Sequence, residues 1–177
     1  MKSKVVALSA ISASFVAIVL TLGAYIELVD LVAVVLSSIF VVLPLYYKSY
    51  VGSVLCYLVG GIIAFLISGF NILSVVFPAY FGFFGLFPII KILMQEKGAN
   101  STLSFIIGLV WCVLAMYGIY FYYVLVMGEV FSGLPLWVEE YLIYIVGLVG
   151  VVFYLIFNKY VEVGKTALDK YLSRILK

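Results

Sequence analysis

The chain has 177 residues, of which 67% are hydrophobic and only 10% charged, and it carries a net charge of +2. A soluble domain has about 25% charged residues, and this much apolar surface cannot be hidden inside a 19.6 kDa globule, so the composition asks for a bilayer as solvent. Histidine is absent, which excludes His-ligated haem, zinc sites that use His, and His-based acid–base chemistry.

A helix needs about 20 residues to cross the hydrocarbon core, and six segments qualify. The basic Met-Lys-Ser-Lys start looks like the head of a signal peptide. The apolar run behind it is too long for that, so residues 5–26 read as a retained first span. Glu27 and Asp30 cap its end, and the second span covers 31–47. The third, 51–69, closes on "SGFN", where Asn71 caps the turn. The fourth, 73–93, holds Pro78 and Pro88 with Gly82 and Gly85 between them, which predicts a bend. "QEKGANS" is a polar turn. The fifth span is 102–127, and a long connection with Glu129, Trp137, Glu139 and Glu140 leads to the sixth, 141–157. These are continuous apolar runs, as helices require, and not the alternating runs of a barrel. Residues 1–158 thus form an all-α transmembrane domain. Residues 159–177 form a cytoplasmic amphipathic tail, interrupted by Gly164, that lies along the inner leaflet or meets a cytosolic partner.

Charge sets the orientation. With the N-terminus inside, all 10 basic residues fall on the inner side, and Glu27, Asp30, Glu129, Glu139 and Glu140 fall outside with no Lys or Arg. The positive-inside rule then puts both termini in the cytoplasm. Lys91, near the inner end of span four, reads as an interfacial anchor whose stem snorkels to the headgroups. The competing readings are a buried ion pair and a contact with a cytoplasmic partner. Cys56 and Cys112 lie inside apolar runs and read as packing residues.

Small residues mark where helices approach closely. In span three Gly52, Cys56, Gly60, Ala64 and Ser68 recur at every fourth position. In span one Ser9, Ala13 and Ala17 do the same through to Thr21, widened by Ala10 and Ser14. The neighbour of each ridge is either in this chain or in a docking partner. No acid or base stands confidently at mid-depth and no Walker-type loop occurs, so neither an enzyme nor a nucleotide-binding chain is expected. No cofactor and no nucleic-acid partner is expected either. The outer rim is acidic and aromatic. Asn71, Tyr122, Glu129, Trp137, Glu139, Glu140, Tyr141 and Tyr144 either form an interfacial belt or wall a pocket for a small flat or cationic molecule.

Six spans in a short chain, both ends inside and a basic start leading into an alanine-rich first helix together resemble the S components of energy-coupling-factor (ECF) transporters. The "ASFVA" of Ala13–Ala17 matches the family's AxxxA docking pattern. The resemblance implies capture of a vitamin-like nutrient from outside at the outer rim. It also implies docking through the first helix onto a membrane coupling subunit driven by two cytoplasmic ATPases. The connection from Glu27 to Asp30 is short for the gating loop the family uses there. The alternative is a non-transport scaffold that recruits membrane proteins through its small-residue faces.

Overall fold

The structure, a computed structural model, describes residues 2–127 and 136–175, with side chains over 3–126, 141–167 and 170. The described residues are helical, with no strand among them. Helix α1 is Lys2–Tyr25, α2 is Asp30–Val42 extended by a 3-10 turn over Leu43–Tyr47, and α3 is Tyr50–Ile67. Helix α4, Val76–Ala79, passes through a π turn, Tyr80–Phe84, into α5, Phe87–Glu96. Helix α6 is Ser101–Met127 and α7 is Leu136–Ile175. Six helical segments are long and apolar enough to cross a membrane, so the chain is a multi-pass membrane protein.

The small residues explain how the first three helices pack. A Cβ added at Gly60 would fall 2.7 Å from Val16 Cγ1 and 3.0 Å from the Ala13 carbonyl oxygen, and one at Gly52 would fall 2.5 Å from Ser9 Oγ. Hence α1 and α3 run parallel and side by side, Ser9 beside Gly52 and Val16 beside Gly60. Lipid competes with side chains for contact, so close backbone approach is what stabilises such a pair. Helix α2 runs antiparallel to α1. Gly23 meets Ala33 at one end, and the Phe15 and Phe40 rings stack at 5.1 Å further along.

The expected bend in span four is a break. Pro88 has no N–H to give the helix, and Gly85 N–H reaches back to the Tyr80 carbonyl (2.9 Å), which makes the π turn. The break frees carbonyls, and lipid offers them no hydrogen bond. Side chains supply it: Tyr57 Oη donates to the Phe81 carbonyl (3.0 Å) and Trp111 Nε1 to the Gly82 carbonyl (3.0 Å). This is the central span, 67% buried over its apolar window against 17% for each of the last two. It carries the aromatic core. Phe83 stacks on Phe87 at 4.7 Å, and Phe84 meets Phe157 edge-on at 4.9 Å. Such pairs contribute about 0.5–1.5 kcal/mol each beyond simple contact.

Helices α6 and α7 form an antiparallel pair, with the Tyr117 hydroxyl beside Gly147 and Met116 beside Gly150. Helix α7 runs unbroken from Leu136 to Ile175, so the described part of the tail expected from residue 159 continues the last span as one helix. Gly164 does not interrupt it. A glycine inside a helix costs about 1 kcal/mol relative to Ala, which one position in a 40-residue helix tolerates.

Candidate functional site

The candidate site is an aromatic cleft at the end of the bundle that carries Glu27 and Asp30, called here the acidic face. Its volume is about 290 Å³, and its walls are Phe65 of α3, Ile72 of the following connection, Phe77, Pro78 and Phe81 of the broken span, and Tyr122 of α6. Phe65 and Phe77 meet edge-on at 5.0 Å, and Phe65 meets Phe70 in the same way at 5.3 Å.

The connection between α3 and α4 sets the shape of the rim. Gly69 (φ 68°) and Phe70 (φ 57°) are both left-handed. Glycine takes that conformation freely, whereas a bulky residue there stores strain of order 1–3 kcal/mol. Neighbouring helices hold the strained turn in place. From α6, Tyr122 Oη donates to the Ile72 carbonyl (2.6 Å) and Tyr123 Oη to the Leu73 carbonyl (2.8 Å). At the end of α1, Asn71 Nδ2 donates to the Ala24 carbonyl (3.3 Å), and Tyr25 Oη donates to the Ile67 carbonyl (3.1 Å).

These bonds reassign several residues singled out from the sequence. Asn71 and Tyr122 spend polar atoms on backbone carbonyls and hold the rim, while the Tyr122 ring still lines the cleft. Tyr141 and Tyr144 are exposed on α7, 6.4 Å apart between ring centroids, and line no part of the cleft. Glu129 lies outside the described residues, as do the side chains of Trp137, Glu139 and Glu140. Glu27 and Asp30 are not among the walls, and Asp30 accepts from the Leu31 N–H instead. Among the described residues no charged side chain stands on its walls, and the rings offer flat apolar surface. Sequence reasoning missed Phe65, Phe77 and Phe81. Their signal was the density of rings around Pro78.

The proposed docking ridge is mostly spent within the chain. Ala13 (7% exposed) and Ala17 (5%) are buried, and Ala13 packs against α3 through Gly60. Ser9 is half-buried, with its hydroxyl bonded to the Val5 carbonyl at 2.9 Å. Ala10 and Ser14 are the small residues of α1 that stay exposed on that flank.

Lys91 is not an interfacial anchor. Only 4% exposed, its ammonium donates to the Asn158 carbonyl (3.0 Å), to Asn158 Oδ1 (2.7 Å) and to Glu162 Oε1 (2.8 Å). All three ammonium donors are satisfied, so Lys91 ties α5 to α7 and offers nothing to a ligand. Tyr154 extends the network: its hydroxyl donates to the Phe105 carbonyl (2.9 Å) and sits 3.4 Å from Asn158 Oδ1.

Compared with known protein families, curated proteins and solved structures, the chain matches none.

Proposed function

We propose that the chain is a substrate-capture subunit of the ECF S-component type in a bacterial inner membrane. It takes up a small, flat, largely apolar nutrient at the aromatic cleft, with the acidic face outward. Energy comes from partner ATPases through a membrane coupling subunit, since the sequence offers no nucleotide loop of its own. One observation carries the reading. A ring-lined cleft sits at the acidic face, and behind its Phe65 wall Phe70 is held in a strained left-handed conformation. Strain of this kind collects where a ligand must be met by a preset surface. Concave, mostly apolar pockets are the ordinary form of small-molecule sites, and 290 Å³ is at the small end of their range of about 300–1,000 Å³.

Native mass spectrometry of gently purified protein tests the proposal. The expected result is one small molecule retained by the native chain and lost from Phe65→Ala and Phe81→Ala. No retained small molecule, together with stable protein partners, would instead identify a scaffold.

A further inference from the structure

A second concavity lies at the opposite end of the bundle, and its argument does not depend on the capture reading. It is a groove of about 320 Å³ between α1 and α3, open to the bilayer. Its floor consists of small residues: Ser9, Ala10 and Ala13 from α1, and Gly52 and Cys56 from α3. Because Gly52 lets the backbones close up at Ser9, no side chain fills the space above, and Leu55 (52% exposed) and Val59 (43%) stand as a bank on the α3 side.

The groove has a direction. Parallel packing puts the N-terminal ends of both wall helices at one mouth. There the chain places Lys4, one residue before the lining Val5, and Lys48, one residue before the lining Ser49, and both lysines are exposed. Neither α1 nor α3 contains an acid. Among the described residues the acids at this end of the bundle are Glu162, which pairs with Lys91, and Glu96. Glu96 takes the Tyr50 hydroxyl, and Tyr50 packs towards Val42, Leu45 and Ile92, away from the groove walls. Lys48 is also held left-handed (φ 53°), with its N–H bonded to the Leu45 carbonyl (2.7 Å), which fixes the backbone of that mouth. From Val5 to Ala13 the groove runs about 12 Å at 1.5 Å per residue. One leaflet's share of the hydrocarbon core is about 15 Å.

We propose that the α1–α3 groove holds one anionic phospholipid of the leaflet on the basic face. An acyl chain lies along the small-residue floor, and the phosphate sits between Lys4 and Lys48. An apolar trough of nearly leaflet length with two cations and, among the described residues, no acid at its mouth is complementary to that molecule at both ends. It is not complementary to a zwitterionic lipid, whose ammonium would face the same lysines. A transmembrane helix of another protein has no matching charge requirement.

The test is native mass spectrometry of the full chain from micelles holding equal amounts of phosphatidylglycerol and phosphatidylcholine. Native protein should retain one phosphatidylglycerol in several-fold preference. The double variant Lys4→Gln/Lys48→Gln should fall to parity, while Lys159→Gln, which removes an exposed basic residue on α7, should keep the preference. Ala10→Phe, which fills the groove from an exposed position, should lose the retained lipid whatever its headgroup. Size-exclusion profiles and helical circular dichroism establish that each variant is folded. No preference in the native chain would overturn the proposal. So would a preference that survives Lys4→Gln/Lys48→Gln, an equal loss in Lys159→Gln, lipid retention unchanged by Ala10→Phe, or a co-purified helix cross-linking at Leu55.

Discussion

Lys91 and Glu162 stand 71 residues apart in the chain and meet with Nζ and Oε1 2.8 Å apart. The pair is asymmetric: the lysine side chain is 5% exposed and the glutamate 54%. Removing one partner of a buried pair costs more than the pair contributes, because the other charge is left without compensation. The buried partner is the lysine, so the two single variants should differ. Glu162→Gln leaves the ammonium two Asn158 oxygens and an amide oxygen, and should lose about 1 kcal/mol. Lys91→Met strips the Asn158 oxygens of their donor and should lose about 2–4 kcal/mol. Thermal unfolding in one detergent, read for both variants and for the double variant, checks the order. Equal losses would show that the lysine is solvated by other means.

Two glycines in membrane helices should respond in opposite ways. Gly60 faces Val16 at a distance no real Cβ adopts, and the obstacle includes the Ala13 backbone. Gly60→Ala must push α1 and α3 apart and should cost about 1–3 kcal/mol, the usual range for overpacking. A Cβ at Gly118 would meet nothing within 4 Å. Gly118→Ala should therefore be neutral or stabilising by up to about 1 kcal/mol through helix propensity. Melting temperatures of the two variants, side by side, decide it.

The tyrosines at the rim separate support from contact. Tyr122→Phe removes the bond to the Ile72 carbonyl but keeps the ring on the cleft wall. Stability should drop by about 1 kcal/mol, and small-molecule retention should remain within a few-fold of the native level. Phe81→Ala should lose retention while the Tyr122 bond is kept, and should also lower stability because the ring packs on Tyr57 and Tyr80. Retention by native mass spectrometry and melting temperature together give the comparison.

The sidedness expected from the charge distribution can be tested chemically. Cys56 and Cys112 are both buried and should be nearly silent to a membrane-impermeant maleimide, so their replacement by alanine gives a clean background. Cysteines at the exposed positions Glu27 and Phe70 should react in intact cells. Cysteines at the exposed positions Lys48 and Lys97 should react only after permeabilisation. Labelling of Lys48→Cys in intact cells would reverse the assignment of faces, and with it the outward cleft.

Much of the architecture was legible in the sequence because lipid allows so few solutions. Six apolar runs became six spans. Most ends moved by a few residues, the fourth beginning at Val76 instead of Leu73 and running to Glu96 instead of Leu93, but the sixth runs on to Ala167 instead of stopping at Phe157. An irregularity between Pro78 and Pro88 was legible because a missing N–H is a local fact, but it was expected as a bend and takes the form of the π turn over Tyr80–Phe84. Long-range partners were not legible. Lys91 looked like an anchor because its nearest neighbours in sequence are apolar, and only the fold brings Asn158 and Glu162 against it. The continuity of α7 was hidden for a related reason. A change from apolar to mixed composition marks where a helix leaves lipid, not where it ends. Asn71 was correctly placed at a turn, and the long-range bond from its amide to the Ala24 carbonyl of α1 could not be read from the sequence.

At 1.5 Å per residue, the 40 residues of α7 make a rod of about 60 Å, twice the thickness of a hydrocarbon core of about 30 Å. Lys91 grips it near the midpoint, at Asn158 and Glu162. Leverage follows from that arrangement. A small swing of the Leu136 end about this fulcrum would carry the Ile175 end the opposite way by a shorter arc, since the helix is continuous between them.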